Sequence, residues 1–328
     1  MSDAQTQTMA PNLPLRALRF FANSRELTLF GLIVILSVTM TLVYPNNFPT
    51  SSNISAVLLN AAQNGILVSG MMLLMIAGAF DLSIGSTLAL AGVWSGIAAA
   101  RYGFPPLAAI LIGLAIGATA GFINGYIVTR IRINPLIATL ATLSIFRGFT
   151  YVTGGTGINP ITDDFKAYGQ SVFFGLQTPF WVMILVVVVA AWLVSKTRFF
   201  RQYYFIGGNP KAAKLSGIQV DRLIMIAFII MGTLAGLTGV LQAARLNSAM
   251  VTIGVNVELG VITATVLGGA SLKGGEGSIP GAVLGVLFIA LVNNAMIINS
   301  VGIFWQGIVV GSVLLLAVSL DAYKGATR

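Results

Sequence analysis

The chain has no cysteine and no histidine among its 328 residues, and only nine acidic ones. No disulfide framework, thiol nucleophile or Ser-His-Asp triad can be built from it, and the usual zinc and haem ligands are missing. Nine carboxylates leave little for paired acid–base chemistry. Charge of either sign is scarce: 8% of the residues, against about 25% in a soluble domain. With 56% hydrophobic residues and a mean hydropathy of +0.91, the chain lacks the polar surface to cover a water-soluble fold. The composition is that of an integral membrane protein. Its net charge of +9 fits loops held in the cytoplasm by Lys and Arg better than it fits nucleic acid.

A membrane span needs about 20 mostly apolar residues. Polar and Gly/Pro punctuation divides the chain into ten candidates: 27–44, 54–77, 84–100, 106–128, 135–153, 179–195, 222–243, 258–270, 279–295 and 303–320. The first follows Arg16, Arg19 and Arg25. Tyr44-Pro45-Asn46-Asn47 carries no small-x-small cleavage pattern, so it reads as an uncleaved span. The short, Gly-interrupted 258–270 suits a tilted, broken or re-entrant segment. Alternating the loops from an inside start puts fourteen of the 18 Lys and Arg in the cytoplasm, leaving Arg101, Arg147, Lys166 and Arg245. The pattern predicts an all-α polytopic bundle with both termini cytoplasmic. It has a 1–26 tail, one transmembrane domain over 27–320 with a cytoplasmic loop at 196–222, and a 321–328 tail.

Lipid supplies no hydrophobic drive for helix association, so small residues must let helices approach. Gly113, Gly117, Gly121 and Gly125 recur at i+4 and share one face of the fourth span. Gly92 and Gly96, Gly232 and Gly236, and Gly281 and Gly285 repeat the device.

Three segments carry more information. In Ala77-Gly78-Ala79-Phe80-Asp81-Leu82-Ser83-Ile84-Gly85-Ser86, a carboxylate stands between two apolar runs near the cytoplasmic face. Asp81 or Ser83 is placed to cap the next helix, and the functional alternative for Asp81 is a proton or cation site. In the 196–222 loop, Asn209 suits an N-cap, Pro210 a first helical position and Gly217 a stop. A helix of about seven residues is marginal alone and is better stabilised by docking, so Asn209, Pro210, Lys211, Ala212, Ala213, Lys214, Leu215, Ser216 and Gly217 form a candidate docking element. The glycine-rich run from Val266 to Gly281 superficially suggests a phosphate loop, but no G-x-x-x-x-G-K-[ST] occurs anywhere, so the chain has no recognisable ATPase of its own. The likeness of Asp81-Leu-Ser83-Ile84 to Glu276-Gly-Ser278-Ile279 reads as shared capping chemistry or chance.

Polar residues inside spans are candidate pathway linings: Asn60, Gln63, Asn64, Thr139, Thr142, Ser144, Gln242, Asn293, Asn294 and Gln306. Neutral amides and hydroxyls exchange hydrogen bonds with a polyhydroxylated solute without trapping it. Interhelical hydrogen bonding is the competing use. On the outer side Asp163, Asp164 and Lys166 share a loop, and Arg245 and Glu258 bracket another; complementary charges there would aid docking of a soluble partner.

These motifs resemble the membrane permease subunits of bacterial ABC sugar importers of the ribose/xylose/arabinose/galactose type. The resemblance runs from about residue 27 to 322. It rests on Gly78–Ser86, Ile137-Ala138-Thr139-Leu140 with Arg147-Gly148, Gly207-Gly208-Asn209 through Ile218, Ala244-Arg245-Leu246, and Val266 through Gly275. It implies a type II importer-like bundle that catalyses no bond chemistry. Two permease copies, identical or related, would form the pathway. Cytoplasmic ATP-binding cassette subunits, which hold the ATP and Mg, would dock on 209–217. A periplasmic sugar-binding protein would deliver a monosaccharide, ribose or another pentose first, to a face carrying Lys166, Arg245 and Glu258. The rival reading is a single-chain ion-coupled carrier, which needs titratable groups near the midplane that this sequence mostly lacks.

Overall fold

The computed structural model describes residues 25–326. Arg16, Arg19 and most of the expected 1–26 tail lie outside the described residues, as do residues 327–328. All ten expected apolar segments are helical, with ends within a few residues of those read from punctuation. They are α1 (Arg25–Val43), α2 (Ser51–Ile76), α3 (Ile84–Ala100), α4 (Pro106–Tyr126), α5 (Pro135–Gly154), α7 (Thr178–Lys196), α10 (Val220–Leu246), α11 (Val257–Leu267), α12 (Ile279–Ile298) and α13 (Ile303–Ala326). Among the described residues seven helices are long and apolar enough to cross a membrane; α3, α11 and α13 contain shorter apolar stretches. The chain is an all-α, polytopic membrane bundle.

Three helices lie outside that set: α6 (Asp163–Gln170), α8 (Arg198–Gly208) and α9 (Pro210–Leu215). Residues 172–177 form a small antiparallel hairpin, β1 (Val172–Phe173) with β2 (Leu176–Gln177). Local chemistry sets the ends. Thr50 caps α2 by accepting from Asn53 N, and Thr162 caps α6 by accepting from Phe165 N. Proline occupies the first turns of α4, α5, α7 and α12, where a missing N–H costs nothing. After α4 a π-helical turn, Ile127–Ile131, ends at Arg132 in the left-handed conformation.

α2 is the central helix, with its C-terminal half buried on every side. The main core gathers Met71, Met72 and Leu74 of α2, Phe228 and Met231 of α10, and Val261 and Ala264 of α11. α1 and α7 sit at the periphery and present apolar side chains such as Ile35, Leu42, Leu185 and Val188 outward. Glycine makes the central contacts possible. A Cβ on Gly117 would fall on the Gly232 carbonyl oxygen and 2.8 Å from Gly236 Cα. Gly121 lies against Phe228 O, Gly92 against Gly239, and Gly285 against Ala264 O, so the sequence's glycine pairs mark backbone-to-backbone crossings of α4 with α10, α3 with α10, and α12 with α11.

Candidate functional site

Two stretches of non-helical backbone lie inside the bundle, and each is held by a polar side chain. The first, residues 77–83, links α2 to α3. Gly275 N donates to Ile76 O at 2.8 Å, joining this turn to the 268–278 loop. Asp81 is 1% exposed. Its Oδ1 accepts from Ser83 N at 2.8 Å and from Ser83 Oγ at 2.6 Å. Its Oδ2 accepts from Asn124 Nδ2 at 3.1 Å, and that amide also donates to Ser83 Oγ at 2.8 Å. Asp81 thus serves the start of α3 as expected of a capping carboxylate, whereas the Ser83 side chain makes no cap bond. Its place is the buried junction with Asn124 of α4, and not an open loop.

The second stretch, residues 247–256, follows α10. Asn247 ends that helix in the left-handed conformation, and Ala249 pairs with Ile158 in a backbone bridge. The chain then runs along α3. Ala249 touches the site of a Cβ on Gly96, Val251 lies beside Gly154 and Val93, and Gly254 packs on Gly85. From Gly96 to Gly85 is eleven residues of α3, or about 16 Å of depth. α11 starts only there, and its 11 residues give about another 16 Å. Turn segment and short helix together run about the length of one span, which is why 258–270 reads as a short, interrupted span. Backbone at such depth needs partners, because lipid offers none. Arg147 supplies them from α5: its Nη1 donates to Val251 O at 3.0 Å and to Ile253 O at 2.8 Å.

Glu258 does not sit beside Arg245. It is half-buried in the first turn of α11, with its carboxylate against Gly85 of α3. The turns before it run along α3 from Gly96 to Gly85, a displacement that loop polarity alone does not reveal. Arg245 stays near the end of α10, beneath α6: its backbone abuts Gly169, and its carbonyl accepts from Gln170 Nε2 at 2.6 Å. Lys166 is at the surface, 3.4 Å from Asp163 in an exposed ion pair, a kind worth about 0–1 kcal/mol.

The expected lining residues do not come together. Gln63 accepts from Gln242 at 2.8 Å, clasping α2 to α10 beside a cavity of ≈ 20 Å³, enough for about one water. Asn294 exchanges hydrogen bonds with Asn53, at 2.6 and 3.1 Å, fastening α12 to α2. Thr139 and Thr142 are buried and bond back to Pro135 O and Thr139 O of their own helix. Asn60 is exposed; Asn64 and Asn293 are partly buried. Gln63 and Asn294 are therefore interhelical fasteners, and Thr139 and Thr142 are satisfied within their own helix. A polar face that the sequence reading did not assemble is Ser144 and Arg147 on α5 beside Thr252 and Asn256; the one advance signal was an arginine inside an apolar span.

The 196–222 loop is more ordered than its composition suggests. α8 packs Tyr203 and Ile206 inward. The Tyr203 hydroxyl donates to Leu223 O at 2.9 Å and the Tyr204 hydroxyl to Gly277 O at 2.8 Å; burial pushes both phenols up from their ordinary range. α9 is the short helix expected. Asn209 Oδ1 accepts from Ala212 N at 3.0 Å, Pro210 is first, and Gly217 turns the chain at φ +84°. Of residues 209–217 only Ala213 is buried; Leu215 is 90% exposed. An open groove of ≈ 550 Å³ lies between α8 and α9, lined by Tyr204, Phe205, Ala212 and Ile218 among others.

Comparison with known proteins fits this architecture. The family described as branched-chain amino acid transport system / permease component matches residues 53–318. The ribose import permease protein RbsC of Bacillus subtilis (strain 168) is 40% identical over 307 residues, 92% of each chain. RbsC of Escherichia coli (strain K12) is 37% identical over 316 residues, 93% of this chain and 97% of that one. The L-arabinose transport system permease protein AraH of Escherichia coli (strain K12) is 34% identical over 302 residues, 90% of each. No solved structure gives a significant match. The apolar helices, the buried polar fasteners and the match across most of the chain have one reading: this protein belongs to the branched-chain amino acid transport system / permease component family and is a membrane permease subunit.

Proposed function

We propose that the chain is the multi-pass inner-membrane permease subunit of an ATP-driven importer of a monosaccharide, with ribose as substrate. The supporting observation is the 37–40% identity to two ribose import permeases over nearly the whole of both chains. L-Arabinose is the second candidate, on the 34% identity to AraH. In this reading the α8–α9 end faces the cytoplasm, as do both termini, and the opposite end faces the periplasm.

The division of labour follows from what the chain contains. It has no phosphate-binding loop of the Walker type, so ATP and Mg belong to separate cassette subunits. α9 suits their docking: Asn209 and Gly217 fix its ends, Ala213 anchors it, and Lys211, Lys214 and Leu215 project outward. Tyr203 and Tyr204 tie this unit to α10 and to the 268–278 loop. A push on α9 would therefore reach α10, α12 and, through Ile76, the turn holding Asp81. A periplasmic sugar-binding protein would dock on the end bearing α6, where Lys166 and Arg245 lie, and a second permease copy would complete the pathway.

The test is uptake of labelled D-ribose, L-arabinose and hexoses in proteoliposomes, with each component omitted in turn. Uptake of one pentose that needs permease, cassette subunit, binding protein and ATP is the expected result. Uptake by this chain alone under an ion gradient would overturn the reading.

A further inference from the structure

One open face of the bundle carries charge at a depth where lipid offers it no partner. Arg147 stands one helical turn beyond Ser144 on α5, well inside that helix. Beside it Gly148 has open space where a Cβ would project. Thr252 and Asn256, on the segment that Arg147 holds, are exposed, as is Ser144, and these three side chains make no hydrogen bond among the described residues. Arg147 spends only Nη1 on the Val251 and Ile253 carbonyls, so its other N–H groups have no hydrogen-bond partner among the described residues. Glu258 follows five residues after Ile253, in the first turn of α11, and forms no ion pair with Arg147 among the described residues.

A charged side chain facing the bilayer centre costs at least about 2.5–3.5 kcal/mol, so such groups line a watery path or a protein contact. Here the separation matters as much as the charge. A closed ion pair would satisfy itself. An arginine and a glutamate that stand apart present donors on one side and an acceptor on the other, with neutral hydroxyl and amide groups around them. That arrangement fits the alternating donor and acceptor capacity of vicinal hydroxyls.

We propose that Arg147 and Glu258, with Thr252, Asn256 and Ser144, form the surface on which this permease contacts its sugar in transit. Arg147 donates to hydroxyl oxygens, Glu258 accepts from a hydroxyl, and Thr252 and Asn256 serve either sense. Gly148 leaves room for the ring. Because Arg147 also holds the turn segment, a sugar that draws on the guanidinium is sensed by the backbone leading into α11. This inference rests on the importer reading and assigns its contact site to residues other than the amides at 60, 63 and 64.

The absence of cysteine makes the test direct. S144C and T252C are reconstituted one at a time with the cassette subunits and binding protein, and L185C, on the outward apolar face of α7, serves as control. The rate of modification by a charged, membrane-impermeant methanethiosulfonate is measured with and without saturating D-ribose under turnover. S144C and T252C should react at least tenfold faster than L185C, and ribose should slow them several-fold while a non-transported sugar does not. E258Q should lower the maximal uptake rate at least tenfold with binding-protein docking unchanged, and E258D should restore part of it. If both cysteines are as inert as L185C, the face is not aqueous and the proposal falls. If they react but no transported sugar protects them, the face is wet without contacting sugar, and the proposal falls equally. Failure of the wild-type complex to take up any sugar is a different result, visible before any variant is made, and it strikes the importer reading itself.

Discussion

Gly117→Ala isolates the glycine crossing of α4 with α10 in a single methyl group. The added carbon lands on the Gly232 carbonyl oxygen and 2.8 Å from Gly236 Cα. Carbon atoms pack at about 3.5–4.0 Å, so the helices must separate by several tenths of an ångström to an ångström. Both neighbours are backbone, so no side chain can swing aside. A radial gap of 0.5–1 Å forfeits roughly a quarter to a half of each dispersion contact along the seam. Overpacking of this kind costs about 1–3 kcal/mol. The ordinary helix preference of Ala over Gly, about 0.5–1 kcal/mol, works in the opposite direction. A net destabilisation of about 1–2 kcal/mol is expected for G117A, and G117L should not assemble. The assay is reversible unfolding in mixed micelles, with G31A and G311A as controls because nothing lies within 4 Å of a Cβ at either site. The controls should be neutral or slightly stabilised. If G117A matches them, the close crossing is not what holds α4 to α10, and the reasoning fails.

The other expectations concern single polar or exposed groups. L215E should abolish co-purification of the cassette subunit without moving the unfolding midpoint, since Leu215 is 90% exposed; A213R should lower the midpoint too, because Ala213 is the buried residue of α9. N53A and N294A should each cost about 1–2 kcal/mol, in line with interhelical hydrogen bonds in membranes, and the double variant should cost less than their sum. D81N should fold nearly normally, because Asn124 Oδ1 is buried without a partner and an amide flip lets it accept from the new amide. D81A should lose about 1–3 kcal/mol by leaving the Ser83 and Asn124 donors unpaired. Equal damage from D81N and D81A in a detergent melt would mean that the charge itself is required.

The spans were legible because the signals that mark them are local. Length of apolar run, proline at a first turn and a capping Asn depend on a few neighbouring residues, so α5 and α9 could be read from their first residues, whereas α2 begins at Ser51, three residues before the expected 54. α8 was missed for the opposite reason. Arg198, Arg201 and the run of Phe and Tyr look like a charged connector until Tyr203 is seen to need the Leu223 carbonyl for its hydroxyl. The site was less legible than the fold because a polar residue in a span serves two purposes with one chemistry. Gln63, Thr139 and Asn294 have the amide and hydroxyl character of a sugar path, and the structure spends most of that capacity between or within helices. What separates fastener from lining is whether the group is already satisfied, and that depends on a partner 179 residues away for Gln63 and 241 for Asn294. Arg147 and Glu258 show the same limit from the other side. The loop reading put Glu258 on the outer side and the charge count left Arg147 in the outer half, because turn backbone between two apolar runs looks the same whether it crosses the surface or folds back into the bundle. Only a donor at membrane depth distinguishes the two cases. Arg147, aimed at two carbonyls that lipid would leave bare, is that donor.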